Sequence, residues 1–546
     1  MVRELSASEL RWQCPRDWIA AASTSEVSPS EGIIGQARAI RALAFGLAID
    51  SLGFNVFVTG LTGTGRMTAV EMHLRPVAAE GAAPDDLLYV FNFDQPEHPR
   101  LLRLSAGRGG VLKERIERLL RELAENLPGL FEGEEFQQRL EIALEDLKSK
   151  QQEMLRGFEK RVREAGFTLV QVQVGSVTRP EILPVVDERP VTLEKLQSLA
   201  EEGKFARDAL SPIEERHAKL SEELQRVFHE VMALREQMLA RADDLRRATV
   251  EPLLESAMQE IEREVSDQRV GPYLADVRKD VLDHLGTLGA QGQEADGGDP
   301  LLRFRVNLVV DNRATRGRPV VIETEPNYSS LFGTIEARVA KDWQATSDHT
   351  RIRAGSLLRA NGGFLVVNAF DLVSEAGVWP ALKRALRYRR VFVQPRDIMF
   401  ALSGHALKPE PVDLDVKVVL VGDRALYDLL HEMDEEFRKI FKVLADFDSE
   451  MPNGREQVGD FLAVMAKIVR DEKLPHIDHA GMCALVEEGV RLARNRRRLS
   501  ARFSDVADIL RESAFLARQG SQATIGAAEI RAAVRSRRER HCLPEE

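Results

Sequence analysis

Apolar residues along this chain change their rhythm several times, and each change marks a different kind of element. Ile33-Ile34-Gly35-Gln36, then Ile40, Leu43-Ala44 and Leu47, predict a turn followed by an amphipathic helix. The run Asn55-Val56-Phe57-Val58-Thr59 predicts a buried strand. Leu87-Leu88-Tyr89-Val90-Phe91-Asn92-Phe93 is apolar almost throughout, which predicts a central strand of a parallel sheet. From about Leu112 the pattern turns heptad-like and heavily charged. Ile116, Leu119, Leu120 and Leu123 form one stripe; Met154, Phe158 and Val162 form another; Leu220, Leu224, Val227, Val231 and Leu234 form a third. Two helical arms, over 112–166 and 208–288, flank a β-like tip at Phe167–Val174, so the region predicts a helical hairpin packed through its own stripes.

After the glycine-rich break Gly286–Gly298 the strand pattern returns at Val306–Val310, Val320–Ile322, Phe364–Val367 and Val416–Val421. Helical patterns separate these runs, which predicts a parallel sheet with crossovers. From Pro452 to Arg540 the spacing is helical throughout. The expected fold is therefore α/β plus all-α: a parallel-sheet core interrupted by a long helical-hairpin insertion and closed by an all-α lid. The expected boundaries are 1–31 for an N-terminal docking segment and linker (Trp12, Cys14-Pro15, Trp18, then a Ser-rich stretch), 32–111 for the first part of the core, 112–298 for the insertion, 299–451 for the second part, and 452–546 for the lid.

Composition narrows the function. At 546 residues with 44% hydrophobic and 30% charged positions, the chain can build more than one core. A net charge of −11 disfavours a general nucleic-acid partner, although local basic patches remain compatible with it. Three scattered cysteines, Cys14, Cys483 and Cys542, have neither metal spacing nor a disulfide framework, which fits a reducing cytoplasm. The N-terminus shows no signal-like apolar region, and no apolar run approaches the roughly 18 residues of a membrane span.

The chemistry concentrates after the first strand. Gly60-Leu61-Thr62-Gly63-Thr64-Gly65-Arg66-Met67-Thr68 follows a strand and opens a helix, the layout of a phosphate-cradling P-loop. Converging backbone N–H groups and a helix N-terminus suit a nucleotide phosphate. The consensus lysine is Arg66, however, whose longer planar head changes the geometry. The Ser or Thr that holds Mg²⁺ is Met67, and Thr68 offers its hydroxyl about 100° around the helix. A second departure follows Phe364-Leu365-Val366-Val367. A hydrolysing enzyme wants Asp for the metal and Glu for the attacking water there; this chain has Asn368 and Ala369, with Asp371 further on. ATP or ADP is thus the expected ligand, with Mg²⁺ disfavoured.

The order of motifs resembles a family. The P-loop, a long insertion, NYSSLFGTIE (Asn327–Glu336), RIRAGSLLRANGGFLVVNAFDL (Arg351–Leu372), VKVVLVGD, FRKIFKVLADFD (Phe437–Asp448) and LSARFSDVADIL (Leu499–Leu510) are similar to the AAA+ module of Lon-like proteases of the LonB/LonC branch, across roughly 32–540. The resemblance places Gly60, Gly63, Thr64, Gly65, Arg66, Met67 and Thr68 in a degenerate Walker A loop and Asn368 in the Walker B position. It makes Asp423 sensor 1, Arg438 a finger acting on a neighbouring subunit, and Arg502 sensor 2. Tyr328, Leu331 and Phe332 become a pore loop that grips unfolded polypeptide. It implies a homo-oligomeric, hexameric ring that admits unfolded protein and delivers it to a Ser-Lys peptidase domain, expected beyond Glu546. No catalytic peptidase residue and no metal ligand is expected in this chain.

Two other readings compete. One is a coiled-coil ATPase acting on DNA, faintly echoed by Leu402-Ser403-Gly404-His405, which falls on the wrong side of the second motif. The other is a non-hydrolysing scaffold ring.

Overall fold

The computed structural model describes residues 11–174, 177–186, 189–202, 205–289, 299–339, 345–394 and 407–541. The chain divides into two compact units. One combines residues up to Lys113 with those from Val306 onward; the other is Glu114–Arg305.

The first unit is organised by five parallel strands: β1 (Val56–Thr59), β2 (Val320–Glu323), β3 (Phe364–Asn368), β4 (Lys417–Val421) and β5 (Val443–Asp446). They lie in the order β5-β1-β4-β3-β2, so the first strand in sequence sits between the last two. Their side chains alternate between two buried faces, as strands covered on both sides must. Val56, Val58, Val366 and Val419 pack with Leu43 and Leu47 of α1 (Ala37–Ala48) and with Val70 and Leu74 of α2 (Arg66–Ala79). Phe57, Leu365, Val367, Val418 and Leu420 face the other way. They pack with Val378 and Leu382 of α3 (Val378–Tyr388) and with Leu430 of α4 (Arg424–Met433).

The apolar run at Leu87 behaves differently from the parallel strand expected of it. Asp86–Val90 is the middle of a separate three-stranded antiparallel sheet, between Arg100–Leu104 and Asn307–Val310. All five of its residues are buried. An unbroken apolar run reports burial on both faces and says nothing about the direction of its neighbours.

Four helices make the lid: α5 (Arg455–Asp471), α6 (His479–Leu492), α7 (Phe503–Gln519) and α8 (Ala527–His541). Their core contains Phe461, Met465, Leu485 and Leu510. The N-terminal segment belongs to this core rather than linking to it. Cys14 and Ile19 are buried in it, and Trp12 and Trp18 pack against it. Thr24 is fixed by reciprocal bonds with Ile477, N–H to carbonyl at 3.0 Å and hydroxyl from N–H at 2.9 Å. Even the Ser-rich stretch is tied down, with the Ser30 N–H donating to the Ala463 carbonyl.

In the second unit, Glu134–Glu164 packs along the 59-residue helix Arg207–Val265. Phe158 and Val162 meet Leu220 and Val227 there, together with Phe167 and Ile182 of an antiparallel hairpin, Phe167–Val174 with Val177–Val186. No described helix is long and apolar enough to cross a membrane.

Buried polar side chains pin the sheet where strands alone would not. Asn55 accepts the Val418 N–H at 2.8 Å and donates to the Ile440 carbonyl at 2.9 Å. Asn55→Ala leaves the Val418 N–H buried without a partner, and is expected to cost about 1–3 kcal/mol in urea unfolding of the first unit.

Candidate functional site

Sheet register brings the sequence-predicted groups to one edge. Val421 of β4 pairs with Val58 on one side and with Asn368 on the other. The C-terminal ends of β1 and β3 therefore flank the end of β4, two strand spacings or about 10 Å apart. The glycine loop and Asn368 share the cleft outside the carboxyl ends of the strands, where ligands of open α/β sheets bind.

The loop is built from backbone. After fully buried β1, Gly60 and Gly63 take φ values of +148° and +88°. Gly65 precedes the first turn of α2, which carries no side-chain cap and no acidic residue, leaving its N–H groups to an anion. Thr64 is buried and its hydroxyl donates to the Leu61 carbonyl at 2.8 Å, so it shapes the loop instead of facing a ligand. Met67 and Thr68 both lie on the exposed side of α2.

Arg66 turns across the strand ends. Its Nη1 donates to the Gly422 carbonyl, just past β4. Burial pulls the guanidinium below the usual arginine range, and nearby Asp423 opposes that shift. Asp423 itself is committed: its carboxylate caps α4 by accepting the Leu426 N–H at 2.7 Å. Asn368 is committed in the same way. Its Oδ1 accepts the N–H groups of Phe370 (2.9 Å) and Asp371 (3.3 Å), capping the short helix Ala369–Ser374. Ala369 is fully buried in the core.

The lid reaches the loop. A Cβ added to Gly63 would lie 1.7 Å from the Ser504 hydroxyl oxygen, so α7 sits directly against the glycines. Arg502, two residues earlier, is held at the same edge by Asp505 at 2.8 Å, while its Nε is buried without a partner.

Three groups went unnoticed in the sequence. The Thr59 hydroxyl donates to Asp446 Oδ1 at 2.6 Å, and Arg424 Nη1 to Asp446 Oδ2 at 3.0 Å. These lie at the ends of β1 and β5 and beside Asp423. Asp446 falls inside a family motif, but its role shows only once β5 pairs with β1.

Other predicted residues lie elsewhere. Arg438 is exposed on the short helix Phe437–Ile440 and makes no ion pair among the described residues. That helix abuts Asn55 at the opposite end of β1 from the glycine loop. Leu331 and Phe332 are 0% and 3% exposed and belong to the sheet's core, and Tyr328 packs on Phe332 with ring centroids 4.7 Å apart. Side chains so buried cannot grip a passing polypeptide, which corrects the pore-loop reading of Leu331 and Phe332. Asn327 caps this turn through the Ser330 N–H, making it a helix rather than a loop. Leu402–His405 and Cys542 lie outside the described residues.

These residues suit a phosphate, which backbone N–H groups can hold. They do not suit Mg²⁺. Met67 offers only a soft thioether sulfur, the oxygen of Asn368 is spent on two N–H groups, and Ala369 is buried. No cluster of three metal-binding side chains occurs among the described residues.

Residues 316–448 match the family model "LonB-like, AAA domain", 476–540 match "Archaeal LonB, AAA+ ATPase LID domain", and 86–119 match "Lon-like LonC helical domain". Three segments of this chain are therefore similar to Lon-like AAA+ proteins. Archaeal Lon proteases of Thermoplasma volcanium and Archaeoglobus fulgidus are 22% and 24% identical to it over 233 and 218 residues, which is 41% and 39% of this chain. Those matches span 34% of each relative, so this chain aligns with about a third of their length. NtrX of Brucella abortus in complex with ADP covers 62% of this chain and 72% of its own, at 14% identity and a TM-score of 0.26, too low to carry an argument.

If the phosphate-contacting lysine and the Mg²⁺-holding hydroxyl have gone from this loop, restoring both should show. In Arg66→Lys/Met67→Thr, fluorescent ATP is expected to bind at least ~5-fold more tightly with Mg²⁺ than with EDTA, against less than ~2-fold for the parent. A parent protein that depends on Mg²⁺ as strongly as the variant overturns the fit. Gly63→Ala probes the lid contact. Its positive φ and the Ser504 hydroxyl both oppose a Cβ, so the lid should protect the glycine loop less from hydrogen exchange.

Proposed function

We propose that this chain is the AAA+ module of a Lon-like protease assembly, and that it passes unfolded polypeptide toward a Ser-Lys peptidase while turning over ATP slowly or not at all. One observation carries the second half of the reading. Every group at the metal- and water-handling positions is inert or already engaged: Arg66 on the Gly422 carbonyl, Asn368 on two N–H groups, and Ala369 in the core.

Phosphoryl transfer relies on positioned charge, so losing the lysine, the metal ligands and the base removes several orders of magnitude. The glycine loop and the lid persist, which supports binding of ATP or ADP as a structural ligand between core and lid. In this reading Arg502 lies beside the phosphates. Asp423 acts on Arg66 only through its nearby charge.

The placement of Arg438 favours a ring. It is exposed at the far end of β1, where it is open to a neighbouring copy's site. We assign the module a homo-oligomeric ring, hexameric as in the resemblance, that works on unfolded protein in the cytoplasm. With Leu331 and Phe332 in the core, the surface that touches the polypeptide is some other part of the module, and Tyr328, half-buried, can contribute only its edge.

Purified protein is expected to hydrolyse Mg-ATP below about 0.01 s⁻¹, against the 1–100 s⁻¹ range of competent phosphoryl-transfer enzymes. A turnover near 1 s⁻¹ that Arg66→Ala abolishes would sink the proposal.

A further inference from the structure

Two helices, α2 and α7, both begin at the glycine loop. Gly65 stands at the head of α2, and Ser504 in the first turn of α7 sits against Gly63. Neither helix has a side-chain cap, so uncapped N–H groups and the positive ends of two helix dipoles meet at one spot. Arg502, at the head of α7, adds a guanidinium whose Nε is buried without a partner among the described residues. The loop side of the cleft is therefore well supplied with positive charge.

The strand-end side is not. Arg66 is drawn onto the Gly422 carbonyl, and Asp423 lies close enough for its charge to act on the guanidinium. Those two side chains together carry no net charge. Arg424 is taken up by Asp428 at 2.9 Å and by Asp446 at 3.0 Å. Asn368 is neutral, and its oxygen already accepts two N–H groups. In a hydrolysing P-loop a lysine and a divalent metal stand on this side and neutralise the terminal phosphates.

The number of phosphates then decides the ligand. A P-loop backbone cradles the α- and β-phosphates, whereas the third phosphate depends on the lysine and the metal. A nucleoside diphosphate asks only for the groups that this cleft keeps. A triphosphate brings further negative charge toward the Gly422 carbonyl and the Asp423 carboxylate, with no ligand set to place a metal between them. It can recruit Arg66 only by breaking the bond to Gly422 and drawing the guanidinium away from Asp423.

We propose that the cleft selects a nucleoside diphosphate over the triphosphate, and that Arg66 and Asp423 set this choice. This rests on the reading of the cleft as a nucleotide site. It is independent of ring formation and of polypeptide handling.

Anisotropy titrations of the full chain with ribose-labelled fluorescent AMP, ADP and ATP in EDTA test it. ADP is expected to bind at least ~10-fold more tightly than either ATP or AMP. Asp423→Asn removes the charge and keeps the helix cap, since asparagine caps as well as aspartate does. The preference for ADP over ATP should fall at least ~3-fold in that variant, with ADP affinity held within ~2-fold. In Arg66→Lys/Met67→Thr with Mg²⁺, ADP and ATP should bind within ~3-fold of each other. Should that double variant unfold, the parent titrations and Asp423→Asn still decide. ATP binding to the parent as tightly as ADP overturns the diphosphate assignment and leaves the nucleotide reading standing. A preference unchanged in Asp423→Asn overturns the part given to that carboxylate. Failure of both ADP and ATP to bind overturns the nucleotide reading and the selectivity with it.

Discussion

Val421 has Val58 on one side and Asn368 on the other, and that register decides what the site can be. It fixes the glycine loop and the end of β3 at opposite walls of one cleft. The Gly422 carbonyl comes between them, within reach of Arg66. In a working P-loop this space belongs to a lysine, a metal and a phosphate. Here an arginine from one wall is bonded to the backbone just past the next strand, and burial lowers its pKa while the charge of Asp423 opposes that shift. A side chain held this way is part of the scaffold, and an incoming phosphate must compete with a carbonyl for it.

The lid touches that cleft directly. Ser504 fills the room over Gly63 that any other residue would need, so glycine is required there by its φ and by its neighbour. Behind Ser504, the lid is stiffened by a segment more than four hundred residues away in sequence. Thr24 is bonded to both sides of Ile477, and Cys14 and Ile19 fill the same core as Phe461 and Leu510. The N-terminal segment thereby becomes structural to the lid. Burial holds the Cys14 thiol up at about 12, so at neutral pH it is protonated and packs as a small apolar side chain.

Much of this was legible in the sequence. The strands of the main sheet and the glycine loop announce themselves because burial on both faces and positive φ each demand particular residues. The stripes of the second unit were equally plain, and Phe158 and Val162 do meet Leu220 and Val227. What failed had one cause in common: local composition was taken for tertiary environment. Asn327-Tyr328-Ser329-Ser330 reads as a loop, yet its asparagine starts a helix that drives Leu331 and Phe332 inward. Asp86–Val90 reads as a parallel strand because direction leaves no trace in an apolar run. A capping signal was available at Asn368 and at Asp423, since each precedes a helical pattern with a residue that favours the N-cap. The roles of Asp446 and Arg424 had no comparable signal, because they arise only from the pairing of β5 with β1.

The substitutions at the two motifs also differ in how firmly they are locked in, and the difference follows from burial. Asn368 could become aspartate at little structural cost, because aspartate caps a helix as well as asparagine does and the site is exposed. Met67 lies on the outside of α2, where a threonine is tolerated. Ala369 is another matter. It is fully buried, and its Cβ lies 3.1 Å from where a side chain at Gly422 would begin. A glutamate there would bring an unpaired carboxylate into the core at a cost of several kcal/mol, or force the strand ends apart. The metal site is therefore separated from function by exposed changes, whereas the water-activating group is excluded by packing. On the proposed reading, a bound metal is therefore regained more readily than hydrolysis, and nucleotide serves as a fixture of the fold rather than a fuel.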